Sequence, residues 1–292
     1  MPDTTEDMVA EAPDAMDVAA EPPSGPTKEF DLFEYFSIGS HVGKTLFANF
    51  TAELLTTVFG REVIVVRIES KGSRSAGDIH INSEDFAASA RLPGGEVALL
   101  RPVFDRLESM AQKEVRPVIV IDWGGGLSEY RAKIWAATRI DKRLADLNMR
   151  CLSVVTTTSL MDRMRHATKL IEQTRLITPG LNLVLLLNRR VGGFTFIQGS
   201  EEARVFHELR KAAEGISIIK AQSITGESWQ SCEAAGLSMS EVINADLRTL
   251  QHRLGGESSF VASAYQMQVA AWWKNTERAF LKILGTASAT QR

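Results

Sequence analysis

The sequence predicts an α/β fold in which a mostly parallel, twisted sheet carries helices on both of its faces. Apolar, β-branched runs of strand length alternate along the chain with runs whose apolar residues have helical spacing. This order is typical of βαβ units with right-handed crossovers. Several strand runs are apolar at almost every position, as expected of strands that are buried on both faces.

The predicted elements follow one another from residue 30 onward. Strands are predicted where apolar and β-branched residues cluster, at 33–38, 63–68, 117–121, 152–155, 181–187 and 216–219, with a short additional edge strand at 78–81. Helices are predicted between them where the spacing is helical, at 44–59, 97–114, 128–147, 159–177 and 200–214. The last segment, roughly 226–285, is predicted to contain helices only.

The composition is that of an ordinary globular protein, with 44% hydrophobic and 24% charged residues among 292. A chain of this length can bury a sizeable core without disulfides or metals. Its two cysteines lie far apart, and Cys151 opens an apolar run that favours a small buried side chain over a reactive thiol. The sequence shows no apolar run of membrane-spanning length, and its acidic N-terminus is unlike a secretory signal, so we expect a cytoplasmic protein.

Residues 1–29 differ in composition from the rest of the chain. They contain eight carboxylates, one lysine and almost no large apolar residue, so their net charge is −7, and the remaining chain carries +4 of the total of −3. Such a segment cannot bury enough apolar surface to offset its ordering entropy, and we predict a disordered acidic tail. The mildly basic remainder permits contact with nucleic acid without arguing for it.

Deletion of residues 1–29 is therefore expected to leave the thermal midpoint of unfolding within a few degrees of the full-length value, because the tail supplies no core. Scanning calorimetry of the two proteins measures this difference. A collapse of the midpoint on deletion would show that the tail packs against the folded body.

A phosphate-binding loop is predicted between the first strand and the first helix. The strand runs into a loop that ends in Gly-Lys-Thr, and a helix follows at once, although Ile38 replaces the usual first glycine. In this context backbone N–H groups and the positive end of the helix dipole face the phosphates. Lys44 would contact the β- and γ-phosphates, and the Thr45 hydroxyl would bind Mg²⁺. The residues predicted to hold the nucleotide here are Gly39, Ser40, His41, Val42, Gly43, Lys44, Thr45 and Leu46.

A second strand end carries an acidic residue. The apolar run 117–121 leads into Asp122, and three glycines follow after Trp123. In nucleotide-hydrolysing proteins with a phosphate loop, an aspartate at such a strand end holds Mg²⁺. Gly126 would leave room for a γ-phosphate and let the loop change state. The alternative interpretation is an ordinary strand-to-helix turn with a glycine hinge.

Residues 42–45 resemble the end of the deviant phosphate loop of the ParA/MinD family of P-loop ATPases, Lys-Gly-Gly-x-Gly-Lys-Ser/Thr. The family's first lysine, which reaches the nucleotide of the other subunit in a dimer, falls on Gly39 of this chain, and the two glycines fall on Ser40 and His41. Residues 39–45 are more similar to the Gly-Asn-Val-Gly-Lys-Thr variant of plasmid-stability proteins of the StbB type. The resemblance implies ATP and Mg²⁺ as ligands, and the missing lysine implies that hydrolysis is weak.

The same resemblance assigns roles at the end of the second strand. Glu69 falls where the family has an aspartate that orients the attacking water, and Arg67 replaces the aspartate before it. Asp78 is a second candidate for this acid. Lys71 and Arg74, in the adjacent loop, are the candidates for a base that replaces the missing lysine.

Landmarks of the family continue through the C-terminal half, so that the resemblance covers about 33–250. Asn188, at the end of strand 181–187, falls where the family reads adenine with an amide, and residues 232–238 resemble a family segment in which Gly236 would cap a helix. The implied division is a P-loop ATPase domain at 30–255 and, at 256–292, a C-terminal amphipathic helix with a short tail.

The helix predicted at 260–284 has apolar and aromatic residues on one face. Packing of this face on the sheet is the first interpretation. A surface for a partner or a dimer is the second. The third is contact with a membrane, because residues 279–285 resemble the membrane-targeting end of MinD proteins.

Three classes of function fit these features. The first is an ATP-driven factor in plasmid or chromosome partition or stability, or in conjugation-linked positioning, acting as a homodimer on DNA or a DNA-binding adaptor protein. The second is a non-hydrolysing ATP-binding regulator or scaffold that binds a partner. The third is a kinase or biosynthetic ligase that shares the phosphate loop, which would need a small-molecule pocket that the sequence does not reveal.

Overall fold

The computed structural model describes residues 30–69, 78–89, 91–224 and 227–285. The predicted acidic tail and the candidates Lys71 and Arg74 lie outside the described residues. The described chain forms one seven-stranded sheet in the order β3-β2-β4-β1-β5-β6-β7, and every strand pair is parallel. The strands are β1 Leu32–Phe36, β2 Val63–Glu69, β3 Ile79–Asn82, β4 Val118–Trp123, β5 Cys151–Thr157, β6 Asn182–Asn188 and β7 Ser217–Ala221.

Helices follow the strands and cover both faces of the sheet. They are α1 Lys44–Thr57, α2 Glu84–Ser89, α3 Gly95–Leu99, α4 Arg101–Ala111, α5 Ser128–Thr138, α6 Ile140–Asp146, α7 Met161–Ile177, α8 Glu201–Ala212, α9 Ser228–Ala234, α10 Met239–Asn244, α11 Leu247–Arg253 and α12 Ser259–Leu284. Helices α1 and α9 to α12 share one apolar cluster with one face of the sheet, and α4 to α8 share another with the opposite face. The predicted α/β class with helices on both faces is confirmed.

Strand β1 shows how one run of residues serves two cores. Leu32 and Phe36 belong to the cluster under α4 to α8, whereas Phe33 and Tyr35 belong to the cluster under α1 and α12. Successive side chains of a strand point to opposite faces of the sheet, and β1 is central, so both sets are buried.

Several predicted helix boundaries were wrong. The helix predicted at 128–147 is two helices, because Arg139 adopts a left-handed conformation with φ of 48° and breaks the ladder. The helix predicted at 97–114 is divided at Leu100 into α3 and α4, and Pro102 stands in the first turn of α4, where its missing N–H costs little. The six-residue helix α2 was not predicted.

The carboxylate of Glu34 lies in the middle of the core with no exposed surface. It accepts hydrogen bonds from Nε1 of Trp123 and of Trp135, both at 3.0 Å, and from the Ser153 hydroxyl at 2.6 Å. The guanidinium of Arg131 donates two more, from Nε at 2.9 Å and from Nη2 at 2.6 Å. This buried ion pair is therefore fully hydrogen-bonded, the condition under which a buried charge is tolerated.

Helix α12 packs most of its aromatic face inside the chain, as the first interpretation of its sequence predicts, whereas Phe260 near its start is 86% exposed. Trp272, Phe280 and Leu284 are buried, and the rings of Trp272 and Phe280 lie 5.4 and 5.2 Å from the ring of Phe50 in α1. These side chains face the protein and not a second surface. None of the helices in the described residues is long and apolar enough to cross a membrane.

The predicted burial of Cys151 is confirmed. Both cysteines are buried free thiols, and burial raises the pKa of each. A thiol is nucleophilic only as the thiolate, so neither cysteine is suited to catalysis.

Candidate functional site

The candidate site lies where the carboxyl ends of the central strands meet. Strand β1 lies between β4 and β5, with Tyr35 opposite Asp122 and opposite Val154. The loop after β1 is therefore brought beside the loop after β4. Open parallel sheets bind ligands in such a crevice, where neighbouring loops diverge.

The loop between β1 and α1 is built around Lys44. Its ammonium group is buried and donates to the Ser37 hydroxyl at 3.0 Å and to the Gly39 carbonyl at 3.1 Å. Two residues of the loop, His41 and Gly43, have positive φ values of 61° and 96°, and helix α1 begins at Lys44 itself. The N-terminus of α1 and the Lys44 ammonium group therefore lie at the same turn of the chain.

The positive charge of Lys44 is only partly compensated by the groups around it. Burial lowers the pKa of Lys44, and the nearby Arg163 lowers it further, whereas the carboxylate of Asp122 acts in the opposite direction. The hydrogen-bond acceptors of the Lys44 ammonium are a hydroxyl and a carbonyl, which are both uncharged. A bound polyanion would supply the charge that these acceptors lack.

Asp122 and Thr45 contact each other across the crevice. The Thr45 hydroxyl donates to Oδ2 of Asp122 at 2.6 Å, while the buried Oδ1 of Asp122 has no hydrogen-bond partner. Burial raises the pKa of Asp122, and the Thr45 hydrogen bond and Lys44 oppose this shift. A buried carboxylate oxygen without a partner calls for a cation or water.

These two residues fit Mg²⁺ when it arrives with phosphates. The described residues contain no cluster of three or more His, Cys, Asp or Glu side chains that would hold a metal by itself. Mg²⁺ commonly binds through one or two protein oxygens, retained waters and substrate phosphates. Thr45 and Asp122 would provide the protein oxygens of such a site.

Asn188 at the end of β6 clamps the phosphate loop. Its Nδ2 donates to the Val42 carbonyl at 2.9 Å, and its Oδ1 accepts from the Arg190 backbone N–H at 3.1 Å. The amide also lies so close to Gly43 that a Cβ there would be 2.5 Å from Nδ2. Asn188 thus positions the loop, and its predicted contact with adenine stays a prediction.

Gly43→Ala is expected to weaken nucleotide binding roughly tenfold or more. The left-handed conformation costs alanine about 1–2 kcal/mol, and the added methyl group would also clash with the Asn188 amide. Titration with a fluorescent ATP analogue measures the change. Gly199→Ala is the matched control, since Gly199 also has a positive φ but has open space around its Cβ position. Equal affinities for both variants and the wild type would contradict the clamp.

A cavity of about 560 Å³ opens beside the loop on the side of α9 and α12. His41, Gly43, Lys44, Thr45, Leu46 and Asn188 line it together with residues that the sequence did not assign to the site: Arg190, Gln222, Ser223, Ile224, Trp229, Gln230, Glu233 and Trp272. The cavity joins the phosphate loop to aromatic and polar side chains that a base and a ribose need. It is large enough for a nucleotide by the usual size of ligand pockets.

The three glycines after β4 have different surroundings. A Cβ on Gly124 would lie 2.2 Å from the Ile68 carbonyl, and one on Gly125 would lie 3.3 Å from Ser40 of the phosphate loop. Gly126 has a φ of 81° and open space around it, and it lines a separate cavity of about 470 Å³. The close approach to the phosphate loop is therefore made by Gly125, whereas the prediction singled out Gly126.

Two carboxylates, Asp78 and Glu69, lie at or near the end of β2. Asp78 accepts from Nε of Arg67 at 2.9 Å, and Nη2 of Arg67 donates to Asn49 at 2.9 Å, so Asp78 serves to hold Arg67. Glu69 is half-buried, and burial together with the charge of Asp122 raises its pKa. Glu69 therefore interacts electrostatically with Asp122, and its role in orienting a water stays a prediction.

Comparison with known proteins gives similarity of fold only. No protein-family model matches this chain, and no curated protein matches it by sequence. Among solved structures it is similar to McdA from Cyanothece in complex with ATP, with 12% identity over 80% of this chain and 99% of that chain and a TM-score of 0.44. A ParA family ATPase from Chlorobium tepidum has 16% identity over 87% and 100% of the two chains, with a TM-score of 0.41. The MinD cell division protein of Aquifex aeolicus has 11% identity over 90% and 100%, with a TM-score of 0.43.

Identities and TM-scores of this size leave the function to be inferred from the site itself. Most of the predicted site residues meet at one place, namely the loop residues 39–46, Asp122 and Asn188. The sequence analysis missed the wall of the cavity, because Trp229 and Trp272 come from helices far along the chain. Trp272 was predicted only as part of the apolar face of the last helix, and the signal that Trp229 offers is the density of tryptophan in the last sixty or so residues.

Proposed function

We propose that this chain is a nucleotide-switched protein of the ParA/MinD type that binds ATP with Mg²⁺. The observation that supports this is that Lys44 and Thr45 line a cavity of about 560 Å³ while the Thr45 hydroxyl also donates to Asp122 at 2.6 Å. We further propose a role in plasmid or chromosome partition or stability, in the manner of StbB-like proteins, or in conjugation-linked positioning.

Different residues of the site would bind different parts of Mg-ATP. Lys44 would exchange its uncharged acceptors for phosphate oxygens, which gives stronger charge-assisted hydrogen bonds. Thr45 and Asp122 would hold Mg²⁺, whose contribution is to neutralise phosphate charge. The walls around Asn188 and Trp229 would enclose the base and ribose.

Weak hydrolysis follows from the same arrangement. In this proposal Glu69 would orient a water, and burial together with the charge of Asp122 raises its pKa. Residue 39 is glycine, so the loop brings no second lysine to the charge that develops on the phosphates. The function of the protein would therefore depend on the change between its nucleotide-bound states more than on the rate of ATP hydrolysis.

A second copy and an anionic partner are part of the proposal. Ser40 and His41 of the phosphate loop are exposed, so a second copy would meet the nucleotide there. Beside the edge strand β7 lies a groove of about 730 Å³, and the described residues that line it include no acid. Its basic residues are Arg189, Arg210, Lys220, Arg278 and Lys282. Such a surface suits DNA or an acidic adaptor protein.

Steady-state ATP hydrolysis, measured with and without DNA, tests the proposal and separates the alternatives. The proposed switch predicts slow release of phosphate that DNA or dimer formation alters. ATP binding with no hydrolysis under any condition would favour a non-hydrolysing regulator or scaffold. Transfer of phosphate to a small molecule would favour a kinase or ligase, and absence of ATP binding would overturn all three.

A further inference from the structure

We propose that Arg163 is the second cation of the phosphate site, supplied by the same chain and contacting the terminal phosphate of ATP. This inference rests on the proposed function and deepens it. Arg163 is the third residue of α7, the helix that follows β5, and it was not among the candidate residues predicted from the sequence.

The geometry places the guanidinium group directly against the loop. A Cβ added to Gly39 would lie 1.6 Å from Nη1 and 2.4 Å from Cζ of Arg163. The space into which a side chain of residue 39 would project is thus occupied by a positive group from α7. The Gly39 carbonyl is also an acceptor of the Lys44 ammonium, so the two cations flank one residue.

The charge balance around the loop favours an anion between the two cations. Lys44 and Arg163 repel each other, which is one cause of the lowered pKa of Lys44. The ion-pair partner of Arg163 is Asp162, 3.5 Å from Nε, and the Asp162 side chain is 59% exposed, so this pair is weakened by solvent. A guanidinium is always charged and presents a planar fork of donors that matches phosphate oxygens.

The alternative role for Arg163 is to brace the loop without touching nucleotide. The two roles differ in what they do to ATP and ADP. Contact with the terminal phosphate stabilises ATP and its transition state but not ADP, whereas bracing affects both nucleotides equally. The comparison of ATP with ADP therefore decides between them by binding alone.

The test uses the full chain with Arg163→Ala, Arg163→Lys and the double variant Arg163→Ala with Gly39→Lys. Competition against a fluorescent nucleotide gives affinities for ATP and ADP, and single-turnover assays give the rate of hydrolysis. Arg165→Ala is the matched control, because Arg165 lies on the same helix and pairs with Glu201 on the surface. Circular dichroism and the thermal midpoint show that each variant is folded.

We expect Arg163→Ala to weaken ATP binding about tenfold while ADP binding changes less than twofold, in line with the loss of one charge-assisted hydrogen bond. Hydrolysis should fall at least tenfold, and lysine at position 39 should restore part of both losses. Arg165→Ala should match the wild type. Should Arg163→Ala fail to fold, Arg163→Lys carries the test through the same ratio of affinities.

Two results would overturn the inference. Equal loss of ATP and ADP affinity would show a bracing role, and unchanged affinity and rate would show no role at all. In both cases the wild type still binds ATP, so the proposed function stands. Failure of the wild type itself to bind ATP would instead overturn the proposed function.

Discussion

Lys44→Ala is expected to weaken binding of Mg-ATP roughly 100-fold or more while the fold stays intact. The ammonium group is held at the start of α1 by uncharged acceptors, and its charge-assisted hydrogen bonds to phosphate would contribute about 3 kcal/mol. Removing it leaves the Ser37 hydroxyl donating to the Gly39 carbonyl at 2.5 Å, so both groups keep a hydrogen-bond partner. Titration with a fluorescent ATP analogue measures the affinity.

Lys142→Ala is the control for this variant. Lys142 is an exposed residue of α6, outside the residues that line the cavity. Its replacement should leave the affinity unchanged. If Lys44→Ala bound the analogue as tightly as Lys142→Ala does, the phosphate loop would not be the binding site.

Glu34→Gln is expected to destabilise the protein by about 3–5 kcal/mol, because it leaves the Arg131 guanidinium buried beside a neutral group. The side chain of Arg131 is only 3% exposed and its Cζ lies 3.6 Å from the centre of the Phe36 ring, so it has no route to solvent. The thermal midpoint should fall by about 10 °C or more for a domain of this size. Arg131→Met should cost a similar amount, since it leaves Glu34 without its cation.

A surface ion pair provides the comparison for the buried one. Arg143 and Glu108 are joined at 2.7 Å, nearly as closely as Arg131 and Glu34, but both side chains are more than half exposed. Glu108→Gln should leave the thermal midpoint nearly unchanged, because solvent screens such pairs. Midpoints that fall equally in Glu34→Gln and Glu108→Gln would mean that burial does not set the cost.

The fold class was predictable because parallel strands buried on both faces need near-continuous apolar runs, and β4, β5 and β6 have them. The cluster around Glu34 was not predictable from the sequence. A buried carboxylate within β1 is tolerated only because β4, α5 and β5 provide hydrogen-bond donors to it. The residues next to Glu34 in the sequence do not indicate these long-range contacts. The break at Arg139 was missed for a related reason, because nothing in its neighbourhood demands a left-handed residue.

The phosphate loop was predictable because strand, loop and helix adjoin in sequence. Asp122 could be paired with it because both follow strands of one parallel sheet. Arg163 could not be paired with the loop in this way, because it approaches Gly39 from a helix more than a hundred residues later in the sequence. The clamp by Asn188 shows a similar limit, since the sequence indicated the residue and its place at a strand end but not its hydrogen bond to Val42.

Calorimetric titration of the full chain with ATP, in the presence and in the absence of Mg²⁺, tests the central claim most directly. The arrangement of Lys44, Thr45 and Asp122 predicts saturable binding of one ATP per chain that is stronger with Mg²⁺, together with a rise in the thermal midpoint as ATP is added. No saturable heat and no change in the midpoint at millimolar ATP would contradict the account.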